Sequence, residues 1–267
     1  SEKVSTFGGN FGENSGGPLC LKYGVTTNHI LGAEVVLYDG EVIQVGGKAL
    51  DYPGYDLTGV LVGSEGTLGI ATKLILRIMP KPEAVKTMLA IYNTLEDASR
   101  TVSAIIAEGI IPATLEMLDK LTIKAVEASI HAGFPLDAEA VLLIELDGLK
   151  DGMERLAERI MEICRKNNVR EVKAAKTEAE RTQLWAGRKG AFGAVARLRP
   201  NYLVCDGTVP RTKLPEVLTK VVEVGKKYGL EIANVFHAGD GNLHPLILFD
   251  ERNAEELRKV HLAGSEI

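Results

Sequence analysis

The chain has 267 residues, 45% hydrophobic and 25% charged. That is the balance of a globular protein with one large domain or two smaller ones, not of a disordered, fibrous or membrane-spanning chain. Lysine and arginine total 31 against 36 aspartate and glutamate, a net charge of −5, so no basic excess exists to neutralise a phosphate backbone and nucleic acid is not an expected partner. Cys20, Cys164 and Cys205 lie far apart with no CxxC pair, which suggests neither a disulfide framework nor a thiolate metal site and fits a reducing, cytoplasmic setting. No apolar run approaches the roughly 20 residues of a transmembrane helix.

In chain order, the first 70 residues are rich in glycine and read as turns and short strands. Residues 33–38 and 41–45 flank Asp39-Gly40 and predict a hairpin with a tight two-residue turn. A strand over 70–79 stops at Pro80-Lys81-Pro82, where a domain boundary is expected. Strands and amphipathic helices then alternate: strand 86–92, helix 95–108, strand 113–118, helix 121–132, strand 141–146, helix 150–167, strand 169–175, helix 178–197, strand 202–205, helix 214–228, strand 232–236, and a helix from 251 onward. This alternation predicts an α+β fold with helices laid on a sheet, a ferredoxin-like plan repeated; a doubly wound parallel sheet is the competing plan. Ser1 opens among glycines and Ile267 closes inside a helical pattern, so the chain is expected to be cut from a longer one.

The sharpest motif is His237-Ala238-Gly239-Asp240-Gly241-Asn242-Leu243-His244. With Asp240-Gly241 at the centre of a tight turn, His237 falls directly opposite His244, Cβ atoms about 5 Å apart, so that two imidazoles can converge on one metal ion. Two ligands do not close such a site, and each histidine by itself could simply pack near a loop. His29, His131 and His261 have no comparable arrangement. The loop Gly63-Ser64-Glu65-Gly66-Thr67-Leu68-Gly69 and the stretch Gly8 to Pro18 offer backbone amides for close approach to an anionic ligand, although a glycine-rich turn is more often only a turn. Neither a GxGxxG nor a GxxxxGK[ST] occurs, so Rossmann and P-loop sites are unsupported. Trp185 and Arg188 fall on adjacent turns of one helical face, where a guanidinium could grip a carboxylate; the bland alternative is a buried tryptophan beside a solvated arginine. Tyr202 to Cys205 reads as a buried strand ending in the acidic turn Asp206-Gly207-Thr208-Val209-Pro210, with Cys205 in the core.

Taken together, Asn14-Ser15-Gly16-Gly17, Tyr23-Gly24, the Gly63 to Ile70 loop, Leu184 to Arg188, Asp206 to Pro210 and His237 to His244 occur in an order that resembles the FAD-linked 2-hydroxyacid oxidases and dehydrogenases of the vanillyl-alcohol-oxidase superfamily, the group of glycolate oxidase FAD-binding subunits and D-lactate dehydrogenases. The resemblance covers essentially the whole chain. It implies that residues 1–80 are the later half of a PCMH-type FAD-binding domain and 81–267 a ferredoxin-like FAD-linked oxidase C-terminal, or cap, domain with an antiparallel sheet. It implies FAD lined by Asn14, Gly16, Gly17, Ser64, Glu65, Gly66, Thr67 and Gly69, Arg188 on the substrate carboxylate, and His237 and His244 as two ligands of a divalent metal, commonly zinc. The family's pyrophosphate loop would precede Ser1, and its third metal ligand, a glutamate followed by a histidine base, would follow Ile267; Glu266 is not a substitute. The implied reaction is oxidation of a small D-2-hydroxy acid, glycolate or D-lactate, with hydride passing to the flavin and electrons leaving to iron-sulfur or flavoprotein subunits. Those subunits would also be the route to any membrane association. The alternatives are a non-catalytic subunit-binding module of such a flavoenzyme and a non-redox relative.

Overall fold

A computed structural model of the chain describes residues 5–49 and 53–267. Two compact units divide between Lys81 and Pro82. The first contains α1 (Phe7–Glu13), α2 (Cys20–Tyr23), β1 (Ile30–Val36), β2 (Val42–Gly46), α3 (Leu57–Leu61) and β3 (Ile70–Leu76). Its antiparallel sheet runs β2-β1-β3, and Phe11, Ala33, Val35, Val45, Leu61 and Val62 form its core. Helix α1 lies where glycines predict turns. Thr6 caps it by accepting from the Gly9 amide, Phe11 is buried, and Asn14 closes it in the left-handed conformation at φ 48°; a cap and one buried aromatic outweigh the helix cost of three glycines. The β1-β2 hairpin also departs from expectation. Val36 pairs with Val42, the Leu37 amide donates to the Glu41 carbonyl at 2.8 Å, and Gly40 sits at φ 87°, so the loop has three residues and glycine takes its left-handed last position.

The second unit contains β4 (Ala84–Tyr92), α4 (Leu95–Ala107), β5 (Thr114–Asp119), α5 (Lys120–Ser129), β6 (Ala140–Gly148), α6 (Met153–Lys166), β7 (Glu171–Ala174), α7 (Glu178–Val195), β8 (Asn201–Val204), β9 (Gly207–Thr208), α8 (Leu214–Tyr228), β10 (Glu231–His237), β11 (Asn242–Phe249) and α9 (Ala254–Glu266). The sheet order is β7-β4-β6-β5-β10-β11-β8, with β9 also on β11, and neighbours are antiparallel throughout. A parallel doubly wound plan is thereby excluded. Strands β4 to β7 with α4 and α6 trace a ferredoxin-like unit interrupted by α5, and β8, β10 and β11 with α8 and α9 repeat the plan through its second helix.

Helices cover both faces of this sheet. Leu89, Leu118, Val235 and Leu246 pack against residues of α5 and α7, including Val126 and Ala191. On the other face Ile247 and Phe249 pack against α8 and α9, and the Tyr92 hydroxyl lies beside Thr101 of α4 and Cys164 of α6. Double coverage explains why residues 140–146 of β6 are all buried and why they read as a continuous apolar run. No helix among the described residues is long and apolar enough to cross a membrane.

The seating of α7 depends on Gly187. A Cβ there would lie 2.5 Å from the Ala132 Cβ and 2.8 Å from the Phe134 ring, closer than packed carbons approach. Gly187→Ala is expected to lower stability by about 1–3 kcal/mol through overpacking, despite roughly 1 kcal/mol gained in helix propensity. Urea unfolding monitored by circular dichroism measures the sign, and a stabilised variant would contradict this account of how α7 docks.

Candidate functional site

Helix α7 carries Arg181, Trp185, Arg188 and Phe192 at spacings that place them in one stripe. The strands beneath answer it with carboxylates. Thr114 of β5 pairs with Glu145 of β6, and Glu116 with Leu143, so Thr114, Glu116 and Glu145 share a face. Arg181 donates through Nε and Nη2 to the two Glu145 oxygens at 2.9 and 3.0 Å, and the Trp185 indole N–H and Thr87 hydroxyl donate to Glu145 Oε2 at 2.7 and 2.5 Å. Two turns along, Arg188 Nη2 meets Glu116 Oε2 at 2.5 Å. Arg188 is 4% exposed, so it is not the solvated arginine of the bland reading. Trp185 is buried, with its indole N–H satisfied.

The histidines come from the β10-β11 hairpin, whose register differs from the expected one. His237 pairs with Asn242 and Val235 with His244, so the loop is the four residues 238–241 rather than a two-residue turn. Three constraints explain it: Gly239 N donates to Leu115 O at 3.0 Å, Asp240 Oδ1 accepts from Asn242 N at 3.1 Å, and Gly241 takes φ 81°. A Cβ on Gly241 would sit 2.2 Å from Val209 O, so the close approach of that segment also needs glycine. A two-residue slip preserves the side of the sheet, so His237 and His244 are diagonal rather than directly opposed. Their rings meet edge to face, centroids 5.1 Å apart and planes at 90°.

Both imidazoles are held at Nδ1 by carboxylates. His237 Nδ1 lies 2.9 Å from each Glu116 oxygen, and His244 Nδ1 lies 3.3 Å from Asp206 Oδ1. Metal-ligating histidines are typically supported in this way. Burial pushes His244 below the ordinary histidine range although the Asp206 charge opposes the shift, so its imidazole is neutral near pH 7, the form that ligates metal. Among the described residues no set of three or more His, Cys, Asp or Glu is placed to hold an ion; the donors present are two imidazoles whose Nδ1 atoms face carboxylates. Two buried atoms here lack partners, Arg188 Nε and Asn242 Oδ1. Burial pushes Asp240 up and also the Cys205 thiol, which agrees with packing rather than nucleophilic use of that cysteine.

Glu116 and Glu145 escaped the sequence reading. Their signal is a carboxylate inside an apolar strand of a chain whose helices are numerous enough to cover both sheet faces. Asp206 was visible only as part of an acidic turn.

In the first unit the expected flavin-lining residues gather on two joined loops. Gly63 N donates to Phe11 O at 2.8 Å and Glu65 N to Gly12 O at 2.9 Å, while Asn14 Oδ1 accepts from Thr27 N and Oγ1 at 3.0 and 2.9 Å. Glu65 and Gly66 are left-handed, at φ 51° and 76°, and Gly66 and Thr67 are exposed. A Cβ at Gly16 would meet Cys20 Sγ at 2.9 Å, whereas Gly17 faces open space. Exposed glycine backbone of this kind fits a ligand that needs close approach.

Residues 81–267 match the family described as FAD linked oxidases, C-terminal domain, and residues 1–46 match the FAD binding domain family. The chain belongs to the FAD linked oxidases. It is 47% identical over 267 residues to the glycolate oxidase subunit GlcD of Escherichia coli K12, covering 100% of this chain and 54% of that protein. It is 31% identical over 266 residues to a D-lactate dehydrogenase of Anaerostipes hadrus, covering 97% and 56%. Among solved structures, p-cresol methylhydroxylase with substrate bound superposes with a TM-score of 0.71 at 17% identity, over 97% of this chain and 58% of that one, a likeness of fold. The chain thus spans about half the length of the curated relatives it matches.

The lowered pKa of His244 has a sign in stability. Below the ordinary value of 6.5 the unfolded chain takes up a proton that the folded site resists, so this stabilisation is complete above pH 6.5 and is lost as pH falls through the folded pKa. Urea midpoints measured from pH 7.5 downward are expected to fall below about pH 6.5, less steeply in His244→Gln; equal slopes would show that His244 is not held neutral.

Proposed function

We propose that this chain is part of a flavoenzyme that oxidises a small D-2-hydroxy acid, glycolate or D-lactate, to the 2-oxo acid. The observation that carries the reading is the convergence of Arg188, His237 and His244 on one sheet face, with a buried Arg188 Nε still unpartnered, in a chain similar to a glycolate oxidase subunit and a D-lactate dehydrogenase.

Residues 1–80 serve as part of the PCMH-type FAD-binding domain and 81–267 as the cap domain. In the first, Asn14, Gly16, Gly17, Ser64, Glu65, Gly66, Thr67 and Gly69 hold FAD, which when bound supplies the acceptor for the hydride leaving the substrate α-carbon. In the second, the orphaned N–H of Arg188 is a charge-assisted donor for the substrate carboxylate, and His237 and His244 would supply two imidazole ligands to a divalent cation, proposed to be zinc from the family likeness. A cation held there would ease loss of the substrate hydroxyl proton to a general base of the full-length protein, and Arg188 would keep the α-carbon oriented for hydride transfer to the flavin. GlcD is a subunit by name, and electrons are proposed to pass to an iron-sulfur or flavoprotein partner in the cytoplasm or at the membrane surface.

The test is Arg188→Ala in the full-length protein. Turnover of glycolate and D-lactate is expected to fall by at least about 100-fold while the visible flavin spectrum stays as in the wild type. Turnover left intact, or a full-length protein with no flavin absorbance, would overturn the reading.

A further inference from the structure

We propose that Glu116 is the positioning residue of this site: its buried carboxylate fixes His237 as the Nδ1–H tautomer, leaving the lone pair on Nε2, and in the same contact pins the guanidinium of Arg188. The use then made of Nε2 rests on the metal reading above; the tautomer rests on geometry alone.

The Glu116 side chain is 1% exposed and is surrounded by donors. Arg188 Nη2 lies at 2.5 Å, His237 Nδ1 at 2.9 Å from both oxygens, and the Thr114 hydroxyl at 3.2 Å from Oε1. Arg188 Nη2 also lies 3.2 Å from His237 Nδ1, so Nδ1 touches a group made only of donors and a group made only of acceptors. A bare Nδ1 would set its lone pair against two carboxylate oxygens in order to accept one longer bond from arginine. A protonated Nδ1 donates to the carboxylate, while Arg188 donates to the same carboxylate from beside it. The second arrangement pairs every hydrogen with a lone pair. The guanidinium charge of Arg188 against Oε2 and the Thr114 and His237 donors at Oε1 suit an ionised carboxylate as the acceptor.

Strand register is what delivers this contact. Phe236 pairs with Met117 and Val235 with Leu118, which sets His237 beside Glu116; one residue of slip on β5 would replace Glu116 with Leu115 or Met117, whose side chains belong to the opposite face. Glu145 is a built-in comparison, since it bonds Arg181 and Trp185 of the same helix and, among the described residues, no imidazole.

The experiment is two-bond proton–nitrogen correlation NMR on the intact flavoprotein with 15N-labelled histidine, His237 being assigned by its loss in His237→Gln. The wild type is expected to show protonated Nδ1 and bare Nε2, and the opposite tautomer overturns the proposal with no Glu116 variant needed. Glu116→Gln is expected to give a mixture of tautomers and to weaken Co2+ binding about 10–100-fold, with partial recovery in Glu116→Asp. Glu145→Gln should leave the His237 signals where they are. An unchanged His237 tautomer in Glu116→Gln would also overturn the proposal. If the tautomers behave as stated but the wild type binds no Co2+, the metal reading fails and the role of Glu116 stands.

Discussion

A carboxylate buried without partners is among the costliest groups a fold can carry, and the second unit of this protein is organised around satisfying one. Glu116 on β5 receives Arg188 from α7 and His237 from β10. Ladder pairing and the buried Asp119–Asn234 contact already join β5 to β10, and Glu116 adds α7 to them at the end of the sheet where the histidines lie. Removing any partner would leave a charge in an apolar interior, and the three residues therefore behave as a unit rather than as independent contributors.

The same logic operates twice along α7. Arg181 on Glu145 and Arg188 on Glu116 are two bridges from one helix stripe to adjacent strands, and Gly187 between them lets the segment around Ala132 and Phe134 approach the helix axis. The first bridge is half open to solvent at its arginine and closed by the Trp185 indole; it anchors. The second is sealed, with the Arg188 Nε–H left unpartnered. A single helix thus carries two carboxylate contacts at a spacing of two turns, and the setting of Arg188 depends on how the helix docks.

Both hairpins show how far local sequence carries a register. Asp39-Gly40 and Asp240-Gly241 each invite a two-residue turn, and each instead ends a longer loop in which glycine alone is left-handed. An Asp-Gly pair favours a bend but does not set its length, because the length depends on which outside groups take the loop amides. For Gly239 the acceptor is the Leu115 carbonyl on β5, 124 positions away by the numbering. The slip is even, so both imidazoles stay on one face.

The amino-acid sequence by itself determined the elements of the second unit, nearly to the residue at α7 and α8, because periodicity and the punctuation by proline and glycine are local. It also determined the α+β class and the family, because Arg188 and the His237 to His244 motif stand in a recognisable order. It left open what those residues touch. Helix α1 hid among glycines because its stability comes from the burial of Phe11 and a Thr6 cap rather than from propensity. Glu116 and Glu145 were silent because a carboxylate in a strand acquires meaning only when the strands on either side and the helix above supply its donors. Tertiary structure alone decided that two glutamates in apolar strands would hold two arginines and a histidine, since hydrogen-bond partners converge through strand register and helix seating, and neither is a local property of the chain.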